Sequence, residues 1–180
     1  MRIRNYTIAA VLCLTGAMSA LPASAQVSGE GGPIRVNADR SEVSEKQRQV
    51  VLINNVDIMQ GDARLRANRV VINYSGSGDT QTSGLGGFGD ISSMDAVGEV
   101  FYVTPEIKAT GDKGVYVAAE DTITLTGNVV LIRGEDVATG ERLVMQLSEG
   151  RTVLDGGQGQ VQMNINPNET GANGNASPSN

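Results

Sequence analysis

No histidine occurs anywhere in the chain. Its absence removes the usual general base, the commonest metal-binding imidazole and every Ser-His or Cys-His nucleophile arrangement. The single cysteine, Cys13, lies inside an apolar N-terminal stretch, so the chain beyond it has no disulfide, thiol chemistry or thiolate metal site. Carboxylates remain, chiefly Glu120-Asp121, Glu135-Asp136 and Asp90. A glycosidase-type pair would have to face itself across a cleft. Neighbours along a strand point to opposite faces, and both doublets stand at expected turns, where acids favour solvent. Gly86-Gly87-Phe88-Gly89-Asp90 resembles part of a glycine-rich calcium repeat, but it is a single copy with one residue missing before the aspartate. Asn168-Glu169-Thr170 fits a glycosylation sequon only formally. The sequence therefore predicts no catalytic residue, no metal site and no cofactor.

What the chain does have in quantity is aliphatic side chains at strand spacing. From Thr122 to Leu147, the alternation places Ile123, Leu125, Val129 and Leu131 on one side and Thr122, Thr124 and Asn128 mostly on the other. Gln49 to Ile58 repeats the pattern with Val50, Leu52, Val56 and Ile58, the turn pair Asn54-Asn55 stands where Gly127-Asn128 stands, and Ala67-Asn68 matches Gly140-Glu141 at the next turn. A third copy runs from Val100 through Gly111-Asp112 to Tyr116, and Ile34 to Asp39 supplies a partial one. Ala38, Ala67, Gly111 and Gly140 line up at spacings of 29, 44 and 29, the middle one carrying an insertion of 15 that residues 75–90 could supply. Such a period means that one supersecondary unit stacks on its copies to build a core that no copy could bury alone.

The repeat sets the apolar residues in rows: Val36 with Leu65; Val50 with Ile123; Leu52 with Leu125; Val56, Val100 and Val129; Ile58, Tyr102 and Leu131; Ile72, Tyr116 and Met145. These rows either fill a dry core between sheets about 10 Å apart or, if the sheets splay, line a groove for apolar ligands. Periodicity alone allows both.

The elements that must hold these rows are short strands punctuated by Gly, Asn, Asp and Ser at intervals of about eight to twelve residues, the mark of an antiparallel sandwich or barrel. Glu42 to Gln49 reads as a hairpin connection with a helical turn. Residues 75–90, rich in Gly, Ser and Thr, read as a mobile loop, and residues 167–180 as a disordered tail. At the start, Arg2 and Arg4 precede a largely apolar Ile8 to Leu21 and then Ala23-Ser24-Ala25, so residues 1–25 read as a cleaved secretory signal. The expected domain is 26–166. After cleavage, 12 basic residues face 20 acidic ones, a net charge of −8. That balance opposes a phosphate backbone, and Tyr74, Tyr102, Tyr116, Phe88 and Phe101 are too few for a base-stacking platform, so nucleic acid is set aside as a partner.

Taken together, Val36-Asn37-Ala38-Asp39-Arg40, Met59-Gln60-Gly61-Asp62, Leu65-Arg66-Ala67-Asn68-Arg69-Val70, Val97-Gly98-Glu99-Val100 and Leu125 to Leu131 leading into Gly140-Glu141-Arg142-Leu143 resemble the LptA (OstA-like) family of periplasmic lipopolysaccharide-transport proteins. The resemblance covers residues 34–155. It implies an all-β fold, an elongated, open-ended antiparallel β-jellyroll of some sixteen strands whose interior takes the acyl chains of lipid A. Val36, Val50, Leu52, Val56, Ile58, Leu65, Ile72, Tyr102, Tyr116, Ile123, Leu125, Val129, Leu131 and Met145 would then line the lipid groove. The resemblance also implies head-to-tail self-association and inner- and outer-membrane transport partners of the same fold, forming a bridge across the periplasm. Ile34 and Val36 at one end and Val161, Met163 and Ile165 at the other, with little charge beyond Arg35, are the expected oligomer edges. Asn54 stands where the family has glycine, the insertion at 75–90 is long, and the charge of −8 is awkward for a carrier of phosphorylated glycolipid. Two rival readings are a membrane-anchored hand-over component of the same superfamily and a structural β-sandwich scaffold with a filled core.

Overall fold

A computed structural model of the chain describes residues 33–75 and 90–166. The described residues form one antiparallel sheet of ten strands. They are β1 (Ile34–Asn37), β2 (Arg40–Ser44), β3 (Gln49–Gln60), β4 (Ala63–Ser75), β5 (Asp90–Val103), β6 (Lys108–Val117), β7 (Thr122–Arg133), β8 (Asp136–Gln146), β9 (Arg151–Asp155) and β10 (Gln162–Asn164). One 3-10 turn, Ala118–Glu120, separates β6 from β7. From β3 to β8 each strand pairs with the next in sequence. β1 and β2 share β3 as partner, and β9 and β10 share β8. The sheet is thus a meander of neighbours in sequence. The signal read at 1–25, residues 76–89 of the glycine-rich stretch and the tail at 167–180 lie outside the described residues.

The long strands are bent, and the repeat marks the bends. Pairing register breaks at Ile53/Val56, Arg66/Arg69, Val97/Val100, Thr110/Lys113 and Thr126/Val129, which stack one above another through the sheet. The pairs Asn54-Asn55, Gly98-Glu99 and Gly127-Asn128 all lie in the left-handed region, with φ between 48° and 81°. Two consecutive residues there turn the strand sharply and send its second half into a facing layer. Asn54, at φ 60°, takes the conformation expected of a substitute for glycine. Gly127 has no such latitude, because a Cβ there would collide with the Asp112 side chain. Side chains lock successive bends together: Asn55 Nδ2 donates to Asp39 Oδ2 at 2.9 Å, and Asn128 Nδ2 donates to Asp112 Oδ2 at 2.8 Å.

Each bend therefore converts one strand into two segments on opposite walls. One wall holds β2, β9, the first halves of β3, β5 and β7 and the second halves of β4, β6 and β8; the other wall holds β1, β10 and the remaining halves. This corrects the sequence reading in two respects. Asn54-Asn55, Ala67-Asn68, Gly111-Asp112, Gly127-Asn128 and Gly140-Glu141 are bends inside continuous strands of 10 to 13 residues and do not separate strands. The sixteen expected strands become ten, although counting the two halves of each long strand recovers sixteen segments. Glu42 to Ser44 also belong to β2 and only residues 45–48 form the turn, because the second wall needs a partner for the first half of β3.

The walls enclose a core running the length of the sheet. One interior row is Leu52, Val70, Ala96, Gly114, Leu125, Leu143 and Leu154, each paired with the next. On the facing wall runs Val36, Ile58, Leu65, Tyr102, Ala109, Leu131, Ala138 and Met163. The small repeat positions Ala67, Gly111 and Gly140 pair with Val56, Val100 and Val129 on the inside of the bend, where the walls converge. A Cβ on Gly140 would lie 2.8 Å from the Asp155 carbonyl oxygen, which explains why the position must be small.

Candidate functional site

Apolar interior is the chain's principal chemical resource, and the structure brings the sequence-predicted residues into it. Of the fourteen groove positions, Val50, Leu52, Val56, Ile58, Leu65, Ile72, Tyr102, Tyr116, Ile123, Leu125, Val129 and Met145 are buried. Val36 and Leu131 are partly buried and pack on the same core. The predicted set omits Val70, Met94, Ala96, Ala109 and Leu143, which are equally buried. Alternation in Val70-x-Ile72 and Leu143-x-Met145 could have found two of them. Ala96 and Ala109 carry too weak an apolar signal.

Along its length the interior is not uniform. At the centre, Tyr102 and Tyr116 fill the space left by Ala96 and Gly114, and only about 20 Å³ stays empty. That is room for about one water molecule and far too little for an acyl chain. Toward the C-terminal end the walls part, and a cavity of about 240 Å³ opens between Leu131, Ala138, Leu154, Met163 and Ile165. A second, of about 350 Å³, opens along the side where the hairpin turns of the two walls lie, with Tyr102 and Met145 among its walls. The rows thus make a packed core at the centre and an open groove at one end.

Burial also sets the electrostatics. Loss of solvent pushes the Tyr102 hydroxyl up to about 12, and the negative charge of Asp121 and the neighbouring Tyr116 add to the shift. Tyr116 donates its hydroxyl to Asp121 Oδ1 at 3.3 Å. Because the folded-state value lies above the ordinary value of 10, Tyr102 stays neutral in the fold at a pH where the unfolded chain ionises. Its contribution is fully present below pH 10 and is lost as pH rises toward 12. We expect the unfolding free energy to fall by about 2–3 kcal/mol more across that window in the wild type than in Tyr102→Phe. Urea titrations at pH 9 and pH 12 measure the difference, and equal pH slopes for the two proteins would contradict it.

The acidic groups serve turns. Asp121 ends the 3-10 turn in a left-handed conformation, and Asp136 Oδ1, at the start of β8, accepts the amide of Asn166, just past β10, at 3.0 Å. On the outer face, Arg64 grips Asp57 through two 2.7 Å bonds and holds that carboxyl below its usual range. Among the described residues no group of three or more acidic, Cys or His side chains is placed to hold a metal ion, and no helix is long and apolar enough to cross a membrane.

The expected oligomer edges lie at the two ends of the sheet. Ile34 and Val36 are on β1, which pairs only with β3. Met163 is on β10, which pairs only with β8, and is 63% exposed. Val161 and Ile165 flank β10 without joining it, since only Gln162–Asn164 pair with β8. The other wall's end strands are charged: β2 carries an Arg40–Glu42 ion pair and β9 carries Arg151 and Asp155.

Residues 35–151 match the family model described as "LptA/(LptD N-terminal domain) LPS transport protein". An uncharacterised protein of Rhizobium meliloti is 29% identical over 175 residues, covering 90% of this chain and 92% of that protein. The lipopolysaccharide export system protein LptH of Pseudomonas aeruginosa is 28% identical over 153 residues, 80% of this chain and 79% of LptH. The LPS-assembly protein LptD of Yersinia pestis is 33% identical over 82 residues, 46% of this chain but only 10% of LptD. The crystal structure of LptH, described as the LptA homologous periplasmic component of the lipopolysaccharide transport device, superposes with a TM-score of 0.63 at 22% identity, covering 81% of this chain and all of that one.

Proposed function

The chain belongs to the LptA/LptD N-terminal-domain family of lipopolysaccharide-transport proteins, and from that footing we propose that it is a non-enzymatic periplasmic carrier that holds lipopolysaccharide acyl chains between its two walls. Lipopolysaccharide transport follows from the family; the interior as the acyl site is our reading. The observation that carries it is the pair of continuous aliphatic rows, which emerge at the C-terminal end in an open cavity of about 240 Å³. At about 0.8 kcal/mol per methylene, exposing one acyl chain of a dozen carbons to water costs about 10 kcal/mol, and a continuous apolar track avoids that cost without chemistry.

Acyl chains enter at the open end, and passage through the centre requires the walls to part around Tyr102 and Tyr116. Residues 1–25 act as the export signal in this account, and 26–166 as the carrier domain. Partners are inner- and outer-membrane components with the same type of fold. β1 of one copy pairs with β10 of the next, since the edges of that wall carry no charge beyond Arg35. Such a head-to-tail contact does not close on itself and extends as a bridge.

The packed centre favours a second reading, a scaffold whose core is permanently filled. Equilibrium binding of purified lipopolysaccharide separates them. The carrier takes it up and releases a fluorescent fatty acid in exchange, whereas the scaffold assembles normally and binds neither.

A further inference from the structure

The bends close one long side of the fold, and the hairpin turns of the two walls face each other along the opposite side. Several turns on that side carry acid, Asp62, Glu106 and Glu135 on one wall and Glu120 and Glu149 on the other, while Lys46 and Arg48 stand on the turn before β3. A phosphorylated glycolipid emerging sideways would be repelled at those acidic turns. At the cavity of about 350 Å³ the pattern changes, because Arg133, at the end of β7, and Arg151, at the start of β9, line it from opposite walls. Both are exposed, and among the described residues neither is in a salt bridge. The same cavity reaches Tyr102 and Met145 of the interior rows, and Arg133 also borders the apolar terminal cavity. Tails inside and a head at this opening would therefore be one molecule's two ends.

Resting on the carrier reading, we propose that this side cavity is the headgroup subsite of the transported lipid, where Arg133 and Arg151 clamp a sugar phosphate from the two walls. A guanidinium presents two parallel donors to phosphate oxygens, and two of them from opposite sides leave few phosphate orientations open. Asp62 and Glu106, which line the same cavity, can only accept hydrogen bonds when ionised. Sugar hydroxyls supply the donors they need, so the lining suits a phosphorylated saccharide better than a bare anion.

The test compares the purified chain with an Arg133→Gln/Arg151→Gln double variant, titrating each with bisphosphorylated lipid A, with the same lipid after phosphatase treatment, and with inorganic phosphate alone. The wild type should prefer the phosphorylated lipid by about tenfold or more. The double variant should lose that preference, its affinity for the phosphorylated lipid falling to that for the dephosphorylated one. Retention of the preference overturns the proposal, as does an equal loss of both lipids, which would mean the arginines merely shape the wall. Inorganic phosphate binding as tightly as the lipid, and vanishing in the variant, would reduce the site to a plain anion site and also overturn it. Failure of the wild type to bind either lipid would bring down the carrier reading with it.

Discussion

An aspartate at Leu125 is expected to unfold the chain, whereas an aspartate at Leu131 is expected to leave it folded and stop acyl uptake. Both leucines belong to the same strand, β7, and the sequence offers no reason to separate them. The structure does. Leu125 is fully buried between Gly114 and Leu143 in the packed centre. A carboxylate there keeps at most about one water, and the loss of the rest of its hydration costs more than about 5 kcal/mol, comparable with the whole stability of a small domain. Leu131 stands where the walls part, on the lining of the terminal cavity. Water reaches a charge there, so the cost to folding is about 1 kcal/mol, while a charge in the groove opposes every methylene that would lie against it. Thermal unfolding and fatty-acid binding measured on both variants check the pair. A folded Leu125→Asp protein would show that the centre is hydrated, and unaltered binding by a folded Leu131→Asp protein would remove that wall from the acyl site.

The second large effect concerns assembly. Val36 and Met163 both point inward at the ends of one wall, where Arg35 is the one charge on β1 and β10, on the row that includes Ile58 and Ala138. A lysine at either place puts a charge where the next copy's strand must dock, which weakens association by about two orders of magnitude. Val36→Lys and Met163→Lys should therefore each be monomeric at concentrations where the wild type forms chains. Mixed together they should form a single heterodimer through their two intact edges, and nothing longer. A face-to-face contact would behave differently, since one variant alone would still dimerise through its untouched end. Sedimentation of the mixture distinguishes the two, and homodimers of either single variant would refute head-to-tail joining.

The interior faces were legible in the sequence because a strand's side chains alternate, and that alternation survives a bend. Val50 and Leu52 before the bend and Val56 and Ile58 after it all face inward because Asn54-Asn55 adds two residues and keeps the phase. The bends themselves were misread for a related reason. Asn-Asn and Gly-Asn pairs have the same chemistry in a hairpin as in a corner, and only the register breaks stacked from β3 to β8 reveal which one they make. The division of the interior into packed and open parts was hidden as well. It depends on the facing walls bringing Tyr102, Ala96 and Gly114 to the lining of one small space, and no local pattern links them. Arg133 and Arg151 stand 18 positions apart, on different turns, and become neighbours only because β7 and β9 both flank β8 on facing walls.

The most direct measurement of the central claim is photocrosslinking in cells, with a photoreactive residue at Tyr102, Leu131 or Leu154 and, as outward controls, at Thr124 or Val130. Adducts of lipopolysaccharide at the three inward positions and none at the outward pair are what a lipid track between the walls predicts. Exported, folded protein that yields no adduct at any inward position, or equal adducts inside and out, would contradict it and leave a filled scaffold.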